Sequence, residues 1–483
     1  MASCGNPDVE ADASMTKRPK YDRNKTCVKC KLQTGNIVIR HAVYCKDCFF
    51  PLISLRFRRT LEPHINLNSQ HRRKGLKASG NLLIGLSGGL GSSVLLDMIQ
   101  KTYLSPRERQ QGDQNPNGIT CPWSKIFVVY VDISGIMIGA PDESSLVEQF
   151  VKRHSTRMEY VRVKLEDAFD QARSPGLRSG RFHNDNMGLN VINEEILLKV
   201  LSSSTCSPLV SLKTYVESLP TQTAISSAIQ ALIRVLLLHT AALTHSSHLL
   251  LGTSLTSLSI SLISSLSQGG GYSIREETQE EWTYRDQDNI EQTVRVIRPL
   301  CDVGMKECAF WAWWCGLKVV GKHRYSGGRQ DIGALTRDFI MGLEKDYPST
   351  VSTIARTCNK LTTKGDTSMK CLICQRLAQS GAQDWKQNIS IRSYSDISPE
   401  DVPPGHLNLT SRASDDLPPS NPHSIASSMC YACHTSWTSK SIHGRITKQT
   451  DIPLPVWLIE ERRRITMESM RNTIDDFLLG PDS

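Results

Sequence analysis

No segment of the chain reads as the long uncharged apolar run that a membrane span needs. The nearest approach, LLLGTSLTSLSISLISSLSQ from residue 249, is too rich in serine and threonine and follows a strand-like run. The opening MASCGNPDVEADASMTKRPK lacks an apolar core, so it reads as a disordered tail and not as an export signal. The glycine-rich turn at 87–93 lacks the G-K-[ST] ending of a Walker loop, which excludes that class of nucleotide site. The same turn, and the stretch 252–259, lack carboxylates altogether. No internal repeat is present, which excludes solenoids and propellers.

What remains is ample for a globular protein of more than one domain: 483 residues, 39% hydrophobic and 22% charged. A formal charge of +9 permits an acidic partner such as RNA without requiring one. Eight of the 15 cysteines fall in four C-x-x-C pairs, which in a large chain without an export signal favours zinc in a reducing compartment over disulfides. The N-x-[ST] triplets at Asn24, Asn388 and Asn408 are then chance matches.

Cys27, Cys30, Cys45 and Cys48 form C-x2-C-x14-C-x2-C. A two-residue spacer lets both thiolates of one turn reach the same tetrahedral ion, and two such turns close a four-sulfur shell. With no open position, such a site is structural. Cys371, Cys374, Cys430 and Cys433 repeat the pairs across a long insertion, SYSDISPEDVPPGHLNLTSRASDDLPPSNPHS, that looks unfolded. Loop-closure entropy grows slowly with length, so one shared ion is compatible with that insertion. His434, beside Cys433, reads as a bystander to the site.

Between the cysteine modules, short apolar runs alternate with helical stretches. Strands are expected at 82–86, 126–133, 160–165, 249–252 and 294–300, with the amphipathic TQTAISSAIQALIRVLLLHTAALTHSS as a helix before the fourth. Strands separated by helices imply right-handed crossovers and a mostly parallel α/β sheet. RERQQGDQNPNG and SPGLRSGRFHNDN read as loop insertions, and VWLIEERRRITMESMRNTIDDFLL as a terminal helix. The expected organisation is a tail at 1–24, a zinc module at 25–51, an α/β domain at 52–345, a second zinc module with a disordered insertion at 346–454, and a helix at 455–483.

A glycine-rich turn between a strand and a helix N-terminus offers backbone N–H groups to phosphate. Ser87, Gly88, Gly89, Ser92 and Ser93 are the candidate ATP-binding residues, and they match the S-G-G-x-x-S shape of the PP-loop, the pyrophosphate loop of enzymes that adenylate a carbonyl oxygen. Active members resembling this carry an acidic residue where Gly91 stands, often with lysine at the position of Leu90. They also carry a G-H-x-x-D-D-x-x-E-like run where this chain has Gly252 to Ser259. A metal–phosphate cluster needs those charges. The pattern implies a kept PP-loop fold, of the adenine nucleotide alpha hydrolase-like kind, and lost chemistry, with ATP binding by this chain left open and no catalytic residue assigned.

The double C-x-x-C ending CKDCF, the basic LRFRRT, the degenerate SGGLGSS, IRPLCDVGMKE and the C-terminal CLICQ and CYACH, in that order, resemble the second-subunit family of cytoplasmic tRNA 2-thiolation proteins. The resemblance spans nearly the whole chain. It implies a cytoplasmic heterodimer with a catalytic subunit that keeps an intact PP-loop. It further implies a tRNA substrate, thiolated at the wobble uridine of lysine, glutamine and glutamate tRNAs. It implies as well that sulfur is delivered by a thiocarboxylated ubiquitin-related modifier and that no membrane is involved. The active subunit adenylates the uridine C2 oxygen, and a sulfur nucleophile displaces the adenylate. Of Cys121, Cys206, Cys301, Cys308 and Cys315, none forms a C-x-x-C pair. Cys308 and Cys315, in an apolar stretch, read as packing residues, while Cys206 and Cys301 are placed to approach the pocket without an assigned role. Arg56, Arg58, Arg59, Arg72, Arg73 and Lys74 are candidates for RNA phosphate contact, against a solvated linker or a face for an acidic partner. Two rivals from other classes are a stand-alone ATP-dependent PP-loop enzyme and a zinc-stabilised scaffold with no RNA contact.

Overall fold

The computed structural model describes residues 25–65, 80–104, 121–137, 142–170, 187–192, 195–200, 207–285, 290–321, 331–361, 369–379, 381–382, 424–439, 452–459 and 461. Its centre is a six-stranded sheet. The strands are β3 (Asn81–Gly85), β4 (Ile126–Asp132), β5 (Met158–Lys164), β8 (Ser246–Leu251), β9 (Glu280–Arg285) and β10 (Glu291–Ile297), in the spatial order β5-β4-β3-β8-β10-β9. All neighbours run parallel except β9, which closes one edge antiparallel to β10. The fold is therefore mixed α/β with a mostly parallel sheet. The five expected strands are all present, each within a few residues of its expected bounds.

Side chains alternate between two cores. Leu83, Val129 and Leu249 face one; Leu82, Ile84, Val128 and Leu250 face the other. Both faces are covered, so strands such as β4 (IFVVYVD) are continuously apolar. On the first face lie α4 (Pro208–Ser218) and α5 (Gln222–Leu243). Ser207 caps α4 by accepting from Val210 N at 3.4 Å, and Thr221 caps α5 by accepting from Ala224 N at 3.1 Å. By length and composition α5 is apolar enough to cross a bilayer, which corrects the expectation that no segment comes close. It lies along the sheet, with Leu232, Val235, Leu238 and Ala241 in the core.

The second face is covered by α1 (Lys46–Ile65), α2 (Leu90–Ile99), α3 (Ser144–His154) and α7 (Met305–Trp314). Helix α1 buries Phe49, Ile53, Phe57, Leu61 and Ile65, a repeat of four that keeps one stripe on the core. It carries the chain from the first cysteine module into the α/β body without a break. A third core joins α6 (Leu255–Ser267), α8 (Ile332–Asp346) and α9 (Pro348–Lys360).

A hairpin that the sequence reading did not contain, β6 (Met187–Ile192) and β7 (Glu195–Val200), forms a small sheet with β11 (Ile452–Pro453). The antiparallel β1 (Ile37–Ile39) and β2 (Ala42–Tyr44) belong to the first cysteine module, and α10 (Tyr431–Thr438) to the second. Of the expected terminal helix, residues 456–459 and 461 are helical; the others lie outside the described residues.

Chain order places the loops of interest. From β3 the chain moves to β4 and β5 on one side, then returns to β8 on the other. The strand order reverses between β3 and β8, so the loops after these two strands flank the crevice where open α/β sheets bind ligands.

Candidate functional site

The loop after β3 occupies that crevice. Ser87 is exposed, Gly89 is half-buried, and Gly88, Ser92 and Ser93 are buried. Its hydroxyls are turned inward: Ser92 Oγ and Ser93 Oγ donate to Gly89 O at 2.9 and 3.0 Å, and Ser87 N donates to Ser92 Oγ at 3.3 Å. Gly88 holds φ +73°. Gly321 N donates to Gly88 O at 3.0 Å, and a Cβ on Gly88 would meet Gly321 O at 2.6 Å. The loop is thus covered by the segment after α7.

The second loop, after β8, is in direct contact with the first. A Cβ on Gly91 would lie 2.2 Å from Gly252 O, and one on Gly252 would lie 2.4 Å from Ser92 Cα. No side chain fits at either position without moving a backbone. The site where an acidic residue is missing is filled by the neighbouring loop.

The stretch 252–259 is likewise spent on internal contacts. Ser254 caps α6 by accepting from Ser257 N at 3.2 Å. Thr256 Oγ1 donates to the Glu344 carboxylate at 2.9–3.0 Å and accepts from Met305 N at 3.0 Å. Ser259 Oγ donates to Val351 O at 3.1 Å. Ser254, Thr256 and Ser259 are buried, and a carboxylate in their place would need a cation to offset its desolvation.

Two carboxylates that sequence reasoning missed lie at this end. Glu344 comes from α8. Glu307, in the first turn of α7, accepts from Gly304 N and faces Arg56 at 3.9 Å; burial pushes its carboxyl above the usual range. The spacing Gly304-x-x-Glu307 at a helix start was the available signal.

Among the described residues, the core cysteines do not form a reactive group. Burial pushes the Cys301 thiol up to about 11 and the Cys308 thiol higher still. Cys315 accepts from Lys101 Nζ at 3.1 Å, Cys121 is half-buried, and Cys206 lies outside the described residues.

The eight paired cysteines do come together. Within each set of four the sulfurs all lie within 4.8 Å of one another, and these are the two such groups among the described residues. Both are built alike. Lys31 N donates to Cys27 O at 2.8 Å with Lys31 at φ 58°; Gln375 N donates to Cys371 O at 2.8 Å with Gln375 at φ 53°. In each, the second pair sits at a helix start: Cys45 immediately precedes α1, and Cys430 is the N-cap of α10. Burial opposes ionisation of Cys27, yet the N–H groups of Cys30, Cys45 and Lys29 bring it down to about 6. His434 is buried beside the second group but is not one of its four members.

The sulfurs of Cys30 and Cys45, and those of Cys374 and Cys430, stand 3.8 Å apart. A tetrahedron of sulfurs at the zinc–thiolate bond length has an edge of about 3.8 Å. The donor sets therefore fit one metal ion each.

The second group is locked to the body by buried charges. Arg376 pairs with Glu277, Arg234 pairs with Glu280 and donates to Cys374 O at 2.6 Å, and Trp457 Nε1 donates to Ile373 O at 3.2 Å.

The basic segment LRFRRT lies inside α1. Arg56 donates to Asp302 O at 3.5 Å, Arg58 stands 3.7 Å from Glu62, and Arg59 is exposed. Arg72, Arg73 and Lys74 lie outside the described residues.

Comparison with known proteins bears on residues well beyond these sites. The family model described as cytoplasmic tRNA 2-thiolation protein 2 matches residues 331–435, from α8 into α10. The curated protein of that name from Danio rerio is 26% identical over 399 residues, covering 75% of this chain and 74% of the relative. That from Pyrenophora tritici-repentis is 23% identical over 377 residues, covering 74% and 86%. Among solved structures, the U34-tRNA thiolase NcsA from Methanococcus maripaludis with its [4Fe-4S] cluster aligns over 76% of this chain and 97% of that chain, at 16% identity and a TM-score of 0.46. Relatives of one name in vertebrates and fungi, and the family model over residues 331–435, make the chain similar to the cytoplasmic tRNA 2-thiolation protein 2 family.

Proposed function

We propose that this chain is the non-catalytic subunit of a cytoplasmic tRNA thiolation complex. In it, 2-thiolation of the wobble uridine in lysine, glutamine and glutamate tRNAs is carried out by a partner with an intact PP-loop. Sulfur arrives on a thiocarboxylated ubiquitin-related modifier. Similarity to the cytoplasmic tRNA 2-thiolation protein 2 family supports the reaction. The contact between Gly91 and Gly252 is the observation that supports the division of labour, because it fills the position from which a PP-loop would offer a carboxylate to metal and pyrophosphate.

On this reading the partner transfers AMP from ATP to the uridine C2 oxygen with release of pyrophosphate, while Ser87, Gly88, Gly89, Ser92 and Ser93 form a structural joint. Cys27, Cys30, Cys45 and Cys48 hold one structural zinc, and Cys371, Cys374, Cys430 and Cys433 a second. When bound, each ion supplies folding energy and no reaction chemistry. The 3.8 Å sulfur contacts support a single ion in each group over a wider iron–sulfur cluster. Residues 25–51 and 346–454 are then modules built around these ions, and the α/β body between them carries the contacts to partner and tRNA. Arg58 and Arg59, with Arg72, Arg73 and Lys74 in sequence, are the candidates for RNA phosphate contact, while Arg56 is turned to Asp302 O and Glu307.

Reconstitution tests the reading. Thiolation of a lysine tRNA transcript should require both subunits, ATP and the charged modifier. Adenylated tRNA formed by this chain alone would contradict it.

A further inference from the structure

Helix α7 exposes a tryptophan that the fold does not explain. Trp313 is 72% exposed, whereas the described tryptophans at 123, 282, 311, 437 and 457 are buried. It is not isolated. Its ring lies nearly parallel to that of Trp314, with centroids 6.2 Å apart and an interplanar angle of 27°. Phe310 stands edge-on to Trp313 at 6.1 Å. Trp314 is held in turn by Phe49, at 5.0 Å, immediately after the last cysteine of the first metal group. The aromatic face is therefore rigidly backed by α1 and open outward.

Exposed lysines flank this face along the chain, Lys306 in the first turn of α7 and Lys318 just beyond its end. Lys306 precedes Phe310 by four residues and so shares its face of α7. Its ammonium donates to Val38 O at 3.3 Å, and an ammonium carries three donors. Lys318 is exposed between Leu317 and Val319, both packed on the same core. Asp47, in the first turn of α1, accepts from Gln33 at 2.9 Å, and Glu307, beside Lys306 in sequence, faces Arg56.

We propose that the outer face of α7, centred on Trp313, stacks an unpaired base of an RNA strand whose phosphates pass Lys306 and Lys318. The inference rests on the reading that this chain handles tRNA. An exposed aromatic plane with lysines flanking it along the chain suits a nucleobase, since every base has a π-face and its phosphate needs a nearby cation. An apolar protein partner would instead need a broad dry patch, and here the exposed neighbours of Trp313 along the helix are Ala309 and Lys306.

The test measures binding of the full chain to three probes: a lysine tRNA transcript, a single-stranded oligouridylate and a blunt RNA duplex. Trp313→Ala should weaken binding of the transcript and the oligouridylate about five-fold or more while leaving the duplex unaffected. Trp313→Tyr should restore most of the loss. Lys318→Ala should lower the salt slope for oligouridylate by about 0.7, whereas Trp313→Ala should leave that slope unchanged. Retained metal content and an unchanged unfolding midpoint show that each variant is folded. Wild-type binding with an unaltered Trp313→Ala variant overturns the inference and leaves the proposed function standing. So does a Trp313→Ala variant that loses only its protein partner. A wild-type chain that binds none of the probes overturns it as well, together with the RNA contacts assigned to the basic residues of α1.

Discussion

Gly91 and Gly252 approach so closely that neither can carry a side chain: a Cβ on Gly91 would lie 2.2 Å from the Gly252 carbonyl oxygen. Gly91 lies in the first turn of α2, after the loop that follows β3, and Gly252 directly follows β8, on either side of the point where strand order reverses. Gly91→Ala should therefore force a backbone shift costing about 1–3 kcal/mol, read as a lower urea midpoint of unfolding. Gly91→Asp should cost at least as much, and together with Leu90→Lys it should not confer ATP turnover. An unshifted midpoint for Gly91→Ala would show that the two loops are not in contact.

Metal analysis of the purified chain should find close to two zinc ions. Cys45→Ala should release one and loosen α1, because Cys45 immediately precedes that helix. Cys430→Ala should release the other. Iron with labile sulfide, or no metal in a folded chain, would contradict the assignment.

The arginines of α1 should separate in their effects. Arg56 stands against Asp302 O and Glu307, so Arg56→Ala leaves a buried carboxylate without its cation and should cost about 1 kcal/mol or more. Arg59 is exposed, and Arg59→Ala should change stability by less than about 0.5 kcal/mol while flattening the salt dependence of tRNA binding. The check is a paired measurement of unfolding and binding; equal loss of stability in both would contradict this assignment of roles.

His239 supplies a pH prediction. Burial lowers its imidazole from the ordinary 6.5 to about 4, partly offset by the Gln375 amide 3.5 Å away, and Trp282 and Trp457 flank the ring. The unfolded chain binds the proton more readily, so this group's contribution is complete above pH 6.5 and is lost as pH falls toward 4. The stability difference between wild type and His239→Gln should therefore shrink on acidification across that window. Glu276, raised to about 7 by burial, acts in the opposite direction and is common to both proteins, which is why the difference is the quantity to measure.

Legibility in the sequence followed locality. Strands β3, β4 and β8 were readable because they are apolar and mostly buried, and β5 and β10 because each keeps a short Val-rich run despite exposed positions. Strand β9 (EEWTYR) was not, since it is an edge strand whose charges interrupt the apolar pattern. The β6–β7 hairpin escaped because part of its pairing comes from Ile452 and Pro453, far along the chain. The basic segment was separated from its helix because Pro51 and Pro63 sit inside α1, although the four-residue repeat of buried positions runs through both. The paired cysteines were readable from spacing alone. The missing carboxylates at Gly91 and at 252–259 were visible, but not that the two loops fill each other's space. Nor was the link from Thr256 to Glu344, 88 residues away, which no local pattern signals.

The most direct test is nucleoside mass spectrometry of cytosolic tRNA from cells lacking this chain. The 2-thiouridine derivatives of lysine, glutamine and glutamate tRNAs should disappear although the catalytic subunit is present. They should return with the wild-type chain and also with one in which Ser87 is replaced by Ala, since no nucleotide chemistry is assigned to that loop. Normal 2-thiouridine levels in the absence of the chain would contradict the proposed function.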